Sequence, residues 1–217
     1  MGTATSLDLP LRCRCGTVRG VARNVATSTV NRCFCYCDDC QAFAHFLDRA
    51  DDVLDAHGGT EITQMSQANV GFTAGVDKVA AMRLSPKGMI RWYASCCSTP
   101  IGNTMPTSAL PFIGVIKAFV DAPSAALGPV RGRGFAKSAK GGRAAVPHDG
   151  LPELVMVARV LAKVLRWRLR NDHKRSALLD AVTGKPVVEP QVLGTAEREK
   201  LRQRCARWRQ RPAGAGA

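Results

Sequence analysis

Eight of the nine cysteines lie in three short segments of the chain, and this grouping constrains the fold more than any other feature of the sequence. Two cysteines form a C-x-C motif followed by glycine, four lie within the run CFCYCDDC, and two are adjacent. In chain order they are Cys13 and Cys15, then Cys33, Cys35, Cys37 and Cys40, then Cys96 and Cys97. Thiols spaced this closely are typical of metal ligands, disulfides or redox centres.

The amino-terminal sequence favours metal binding over disulfides. Residues 1–16 contain no apolar run flanked by basic residues, so we predict no secretory signal and a cytoplasmic protein. A reducing compartment disfavours stable disulfides, and the odd number of cysteines leaves at least one thiol outside any complete pairing. We therefore predict zinc as the cofactor, with a thiol redox protein as the alternative that stays open.

The spacing of the cysteines predicts two zinc sites of different kinds. A structural zinc site takes four protein ligands, whereas a catalytic site leaves one position open. The C-x-C pair Cys13 and Cys15 supplies two ligands, and the adjacent pair Cys96 and Cys97 is the natural source of two more. We expect this first site to staple the start of the chain to a distant strand end.

The motif C-x-C-x-x-C of Cys35, Cys37 and Cys40 supplies three further thiolates. Three ligands leave the fourth position for water or for the thiol of a substrate, so these three cysteines are the candidate catalytic residues as well as metal ligands. Three thiolates make zinc a weak Lewis acid, which favours binding another thiol over polarising a carbonyl group. A closed site in which Cys33 adds a fourth thiolate, with no chemistry, is the alternative.

Positive charge is concentrated in the last two fifths of the chain. Residues 1–130 carry 11 basic and 10 acidic side chains, whereas residues 131–217 carry 20 basic and 7 acidic ones, a net charge of +13. Such an asymmetry indicates a basic extension that meets nucleic acid, anionic lipid or an acidic partner. An amphipathic helical extension with a solvated basic face is the alternative interpretation.

Turn residues and apolar patterns predict a mainly β domain at the start of the chain. A hairpin is predicted from two short strands that flank Ser85–Gly88, and a buried strand is predicted over Pro111–Val120. One helix is predicted over Asp38–Leu47, with Asp38 or Asp39 as its N-cap. We therefore expect a zinc-binding domain over residues 1–122.

The rest of the chain is predicted to be a linker and a helical extension. Residues 123–150 are rich in glycine, proline and basic residues, as in a flexible linker. Residues 151–169 repeat apolar residues with a helical period, and residues 195–209 form a second predicted helix with Thr195 as its N-cap, within an extension over residues 151–217. No segment has the roughly 20 predominantly apolar residues of a membrane-spanning helix.

Taken together, these motifs resemble the glutathione-dependent formaldehyde-activating enzyme and centromere protein V family over roughly residues 9–122. The opening C-x-C-G matches Cys13, Cys15 and Gly16, and the C-H-C-x-x-C motif matches Cys35, Cys37 and Cys40, with tyrosine in place of histidine. The closing element matches Arg91, Trp92, Cys97, Thr99 and Pro100. At two positions the chain departs from the pattern: Ala94 stands where the first cysteine of the closing motif is expected, so that Cys96 must substitute for it, and Ser98 replaces a glycine.

The resemblance implies a β-rich zinc-binding domain of the Mss4-like, or β-tent, type. It also implies a carbon–sulfur lyase that joins or splits formaldehyde and glutathione through S-hydroxymethylglutathione, with a glutathione-like thiol as the small-molecule partner. Cys35, Cys37 and Cys40 would then hold a labile zinc that meets this thiol. The alternative function is a non-catalytic zinc-stapled module whose basic carboxy-terminal segment binds nucleic acid or an acidic partner.

Other polar residues are given structural interpretations. His45 and His57 are interpreted as ordinary polar or helix-surface residues. Cys205 is interpreted as an incidental thiol on a basic helix, and Trp167 and Trp208 as residues that pack the helices onto the domain.

Overall fold

Short β-strands are the main secondary structure of the first 134 residues, because β-branched and aromatic side chains alternate there between turn residues. The structure is a computed structural model that describes residues 6–211. The strands are β1 Leu7–Arg12, β2 Arg19–Val25, β3 Asn31–Cys35, β4 Thr60–Ser66, β5 Val70–Ala74, β6 Val79–Arg83, β7 Ile90–Ala94, β8 Thr99–Thr104, β9 Phe112–Ile116, β10 Val130–Gly134 and β11 Gln191–Val192. The α-helices are α1 Asp38–Phe46, α2 Ala50–Val53, α3 Glu153–Leu169 and α4 Thr195–Gln210. The fold is therefore mainly β with a helical carboxy-terminal part.

The strands form two sheets. The small sheet has the order β1-β2-β5, and the large sheet has the order β10-β3-β4-β9-β8-β7-β6-β11. Pairing is antiparallel except at the two edges of the large sheet, where β10 lies parallel to β3 and β11 lies parallel to β6. These edge strands come from distant parts of the chain, since parallel neighbours need long connections.

The large sheet is covered on both faces, so its central strands are largely buried. All six residues of β8 are buried. One face packs against the small sheet in a shared core that includes Leu11, Trp92 and Ile113. In a second cluster of buried apolar residues, Phe43 of α1 and Leu201 of α4 pack against the large sheet. Full burial of each large apolar side chain contributes about 1.5–3 kcal/mol, so these two clusters hold the layers together.

The hairpin predicted around Ser85–Gly88 is present as the antiparallel pair β6 and β7. The strand predicted over Pro111–Val120 is shorter, because β9 ends at Ile116 and a turn of 3₁₀-helix follows. That turn buries Phe119 completely and brings Val120 into a bridge with Leu11 of the small sheet. The chain thus passes from the large sheet to the small sheet within this segment. The sequence does not mark the change, because its apolar residues continue without a break.

The predicted helices are present, with different caps. The side chain of Cys37 caps α1, because its Sγ accepts from the backbone N–H of Cys40, so the prediction of Asp38 or Asp39 as the N-cap was wrong. Helix α4 begins after Gly194, not after Thr195, and the carboxylate of Glu197 accepts from the backbone N–H of Gly194 at 2.8 Å. Among the described residues, no helix is long and apolar enough to cross a membrane.

The segment over residues 123–150, predicted as a linker, contributes strand β10 to the large sheet. Its apolar residues Leu127, Ala139 and Val146 are buried. A basic, glycine-rich composition therefore does not prevent a segment from packing when the edge of a sheet offers backbone partners. The division of the chain at residues 122 and 150 into independent folding units stays a prediction.

Candidate metal centres

Four cysteine sulfur atoms meet where the turn between β1 and β2 faces the turn between β7 and β8. Cys13 and Cys15 come from the first turn, and Cys96 and Cys97 from the second. All four Sγ atoms lie within 4.8 Å of one another. The Sγ of Cys15 is 3.5 Å from that of Cys13 and 3.4 Å from that of Cys96. These separations fit the distance of about 3.8 Å between sulfurs that surround a tetrahedral zinc at about 2.3 Å.

Two turns with left-handed backbone present these sulfurs. Gly16 has a φ of +77° and donates its backbone N–H to the carbonyl of Cys13 at 2.8 Å. In the other turn Ser98 has a φ of +53°, a conformation that glycine adopts without steric cost. Ala94 ends β7 and is fully buried, and Cys96 in the following turn supplies the sulfur. The structure thus brings Cys96, and not position 94, to the cluster.

Hydroxyl groups surround the sulfurs of this first cluster. The hydroxyl of Thr17 lies 3.2 Å from the Sγ of Cys15, and this hydrogen bond lowers the pKa of the Cys15 thiol to about 6. The hydroxyl of Thr99 lies 3.1 Å from the Sγ of Cys97 and accepts the backbone N–H of Arg14 at 3.0 Å. The last contact joins the two turns directly. Hydrogen bonds that favour thiolates are the environment that a metal-binding cysteine needs.

A second cluster of three cysteines lies where β3 passes into α1. Cys35 ends β3, Cys37 caps α1 and Cys40 is in its first turn. Their Sγ atoms lie within 4.8 Å of one another, and those of Cys35 and Cys37 are 3.4 Å apart. The unpaired N–H groups at a helix N-terminus carry partial positive charge, which favours thiolates at this position.

Cys33 lies apart from this cluster. Residues two apart on a strand share a face but are separated by about 6.6 Å, so Cys33 sits one pleat back from Cys35. Cys33 is 3% exposed and packs in the core with Ile62 and Phe43. Burial raises the pKa of the Cys33 thiol to about 12. Within residues 6–211, the group of sulfur atoms that could hold a metal here has three members.

Arg91 is the buried cation beside the second cluster, and it is 2% exposed. Its Nη1 lies 4.0 Å from the Sγ of Cys40 and donates to the Oδ1 of Asn103 at 3.2 Å. Its Nη2 donates to Asp39 at 3.3 Å, and its guanidinium lies over the ring of Phe43. Hydrogen bonds from Cys35 and Cys37, and then the charge of Arg91, hold the pKa of Cys40 well below its usual range.

The sequence analysis identified Arg91 only as a residue of the closing motif and predicted no role for it. A single cation in the otherwise apolar strand β7 was the signal that could have identified its role. A buried arginine needs a negative partner, because the desolvation of an unpaired charge costs several kcal/mol. Asp39 is one such partner, and the Sγ of Cys40 in the second cluster is the other.

Tyr36, which stands where the resembled family has histidine, points away from the sulfurs. It is fully buried, and its hydroxyl donates to Asp55 at 2.9 Å and accepts from Arg133 at 3.1 Å. Burial and the Asp55 contact raise the pKa of Tyr36 to about 12. Gly59 leaves room for the ring, since a Cβ there would lie 2.6 Å from it. Tyr36 therefore ties β10 to the site and does not act as a metal ligand.

Helix α4 covers α1 and pairs its arginines with acidic residues on α1 and just after it. Arg209 bonds Asp38 and donates from Nε to Gln41 at 2.7 Å. Arg204 pairs with Asp48 at 2.6 Å. A cavity of about 360 Å³ lies between the two helices, lined by acidic residues of α1 and by arginines and Cys205 of α4. The predicted nucleic-acid contact of the basic segment stays a prediction, and part of that charge is neutralised within the fold.

The sequence analysis interpreted His45 as an ordinary polar or helix-surface residue, but the structure buries it. It is 5% exposed and lies edge-on to the ring of Trp208, with ring centroids 6.0 Å apart. Burial and then the charge of Arg204 lower the pKa of His45. His57 is half-buried at the turn after α2. Cys205 is buried rather than displayed on the helix surface, with a thiol whose pKa burial raises.

The fold and the two cysteine clusters define a mainly β protein whose sulfur atoms could hold metal ions. The chain belongs to a family of unknown function, DUF6151, whose model matches residues 5–191. The matched residues include all seven cysteines of the two clusters and end before α4. No curated protein matches the chain.

Proposed function

We propose that this protein binds two zinc ions with different tasks and is a carbon–sulfur lyase of the kind that acts on thiol adducts. The observation that carries the proposal is the difference between the clusters. One contains four sulfurs within 4.8 Å of one another and the other contains three. Four thiolates close a zinc site, whereas three leave a position for a further ligand.

The first cluster is proposed to hold a structural zinc. Cys13, Cys15, Cys96 and Cys97 would join the small sheet to the end of the β7–β8 hairpin. A structural zinc contributes directly to folding, since its site does not exist in the unfolded chain. The hydrogen-bonded turns described above favour this use, because they set the sulfurs at zinc-like separations without further rearrangement.

The second cluster is proposed to be the reactive centre. A zinc ion held by Cys35, Cys37 and Cys40 would supply a coordination position at which a thiol loses its proton. The chain contributes the charge balance. Arg91 offsets the negative charge of the thiolates, and Asp39 holds the Arg91 guanidinium from the solvent side. Cys35 and Cys37 are partly exposed, which would let a small thiol approach them.

The proposed substrate is glutathione or a related thiol as its formaldehyde adduct, S-hydroxymethylglutathione. The support is the resemblance of the cysteine motifs to the formaldehyde-activating enzyme and centromere protein V family, together with a mainly β fold of two sheets. We propose that the fold is of the Mss4-like type that this resemblance implies. Cleavage of the adduct breaks its carbon–sulfur bond and returns formaldehyde and the free thiol.

Zinc analysis and an activity assay test this proposal together. Purified full-length protein is expected to hold two zinc ions per chain, Cys35→Ser to lose one, and Cys33→Ser, the matched control, to keep both. Exchange between formaldehyde and S-hydroxymethylglutathione, followed by NMR, is expected to be faster with the wild type than with Cys35→Ser. Metal-free protein would overturn the zinc assignment. Two zinc ions without acceleration of the exchange would overturn the lyase assignment alone.

A further inference from the structure

Helix α3 is apolar on two opposite faces. Its inner face packs on the protein body through Met156 and Trp167, which are 8% and 5% exposed. Its outer face carries a line of leucines whose members are 61–81% exposed. We call this line the leucine stripe: Leu154, Leu161, Leu165 and Leu169. At 100° per residue these four positions fall within about 80° of the helix circumference, opposite the buried face.

The leucine stripe is a continuous patch and not a set of isolated side chains. Exposed Ala158 and Ala162 lie in the same sector, so no polar residue interrupts it. Its ends are separated by fifteen residues, or about 22 Å along the helix. Single exposed leucines are ordinary on protein surfaces, whereas a contiguous apolar patch marks an interaction site.

Cations flank the stripe. Arg166 and Arg168 are exposed on either side of it, and Arg159 and Lys163 lie nearer the body. Among the side chains that the structure describes, none of these four forms an ion pair. By contrast, Arg204 and Arg209 of α4 and Arg211 just after it pair with Asp48, Asp38 and Asp51 respectively. Burial, with the charges of Arg159, Arg166 and Arg131, lowers the pKa of Lys163 to about 8.

We propose that the leucine stripe docks on the surface of a lipid bilayer that contains anionic lipids. Helix α3 would lie in the interfacial plane, with its leucines among the acyl chains and its arginines at the headgroups. Charge complementarity selects this occupant. Two copies of the chain packed through this face would bring arginines against arginines, whereas anionic headgroups neutralise them. A helix with an apolar stripe and flanking cations lies on a membrane and does not cross it.

This docking is independent of the zinc chemistry, because α3 contributes no cysteine. Its function would be to hold the protein at a membrane surface. The site was not a separate prediction of the sequence, since periodic apolar residues indicate one buried face and do not reveal a second exposed one.

Vesicle sedimentation tests the proposal with the full-length protein. We expect binding to vesicles of phosphatidylglycerol and phosphatidylcholine in equal parts, little binding to phosphatidylcholine alone, and weaker binding at high salt. The double variant Leu161→Gln, Leu165→Gln is expected to weaken binding about 100-fold. Arg166→Gln, Arg168→Gln is expected to weaken it about tenfold or more. Val182→Gln, at a residue 93% exposed outside α3, is the matched control and should bind as the wild type does.

Two outcomes would overturn the proposal. The first is no sedimentation with anionic vesicles at low salt, or sedimentation that the leucine variant does not reduce. The second is a wild-type dimer in light scattering that the leucine variant converts to monomer without any vesicle binding, which would make the stripe an interface between copies. The unfolding midpoint of each variant distinguishes these results from misfolding, since the substituted leucines lie outside the core.

Discussion

Replacing Arg91 with methionine is expected to weaken zinc binding at the second cluster without unfolding the protein. The guanidinium lies 4.0 Å from the Sγ of Cys40, so a full thiolate charge interacts with it by about 4 kcal/mol at an effective dielectric constant of about 20. Asp39 competes for the same guanidinium at 3.3 Å, which reduces the net effect. Residues that contact metal ligands typically change the affinity by about 10–100-fold when mutated, or about 1.4–2.7 kcal/mol. We expect Arg91→Met to fall in that range.

Competition with a chromophoric chelator measures this loss, because the two zinc ions are expected to leave at different chelator concentrations. Arg91→Met should lower the chelator concentration at which the more weakly bound zinc ion is released, and should leave the release of the other ion unchanged. The metal-free variant should remain folded but unfold at a lower urea concentration than the metal-free wild type, because the buried side-chain carbonyl of Asn103 loses its donor. Arg83→Met on the neighbouring strand is the control, as Arg83 donates to the carbonyl of Gly88 at 3.1 Å. Equal release curves for wild type and Arg91→Met would refute the reasoning.

Three further predictions concern stability, each measured by urea or thermal unfolding. The pKa of His45 is lowered in the fold, so on acidification the unfolded chain takes up the proton before the folded chain does. The free energy of unfolding should therefore fall as the pH drops below about 6.5, and His45→Gln should make this fall smaller. Arg209→Ala should cost about 1 kcal/mol and Arg204→Ala less, because only Arg209 also bonds the buried Gln41, and equal losses would contradict this. Ser98→Gly should stabilise the protein by up to about 1 kcal/mol, since glycine adopts its φ of +53° without strain, and a destabilised variant would show that the serine side chain matters more.

The local elements of the fold were predictable from residue patterns. The helices α1, α3 and α4 and the β6–β7 hairpin lie where periodicity and turn residues place them. These signals depend on neighbours in the chain, so a single sequence carries them. The caps of α1 and α4 were not predictable, because a cysteine thiol took the capping position of one helix and a glycine that of the other.

The pairing of distant segments needed the tertiary structure. Strand β10 comes from a segment with the composition of a linker, and it pairs with β3 because the large sheet leaves an edge there. Arg91 became visible as part of the second cluster only when β7 was seen to pass under α1. Likewise, the sequence did not show which face of α3 is exposed. That became known only from the packing of its opposite face on the protein body.

The sequence by itself determined the sets of sulfur atoms, since the spacing of Cys13 with Cys15 and of Cys35 with Cys37 and Cys40 is fixed by the covalent chain. It also determined where positive charge accumulates. The sequence likewise predicted Cys96 and Cys97 as the partners of the first pair. Only the tertiary structure decided that Cys33 is excluded from the second group, and which cations face solvent. The physical reason is that these outcomes depend on sheet register and layer packing, which shift side chains by several ångströms while leaving the local pattern unchanged.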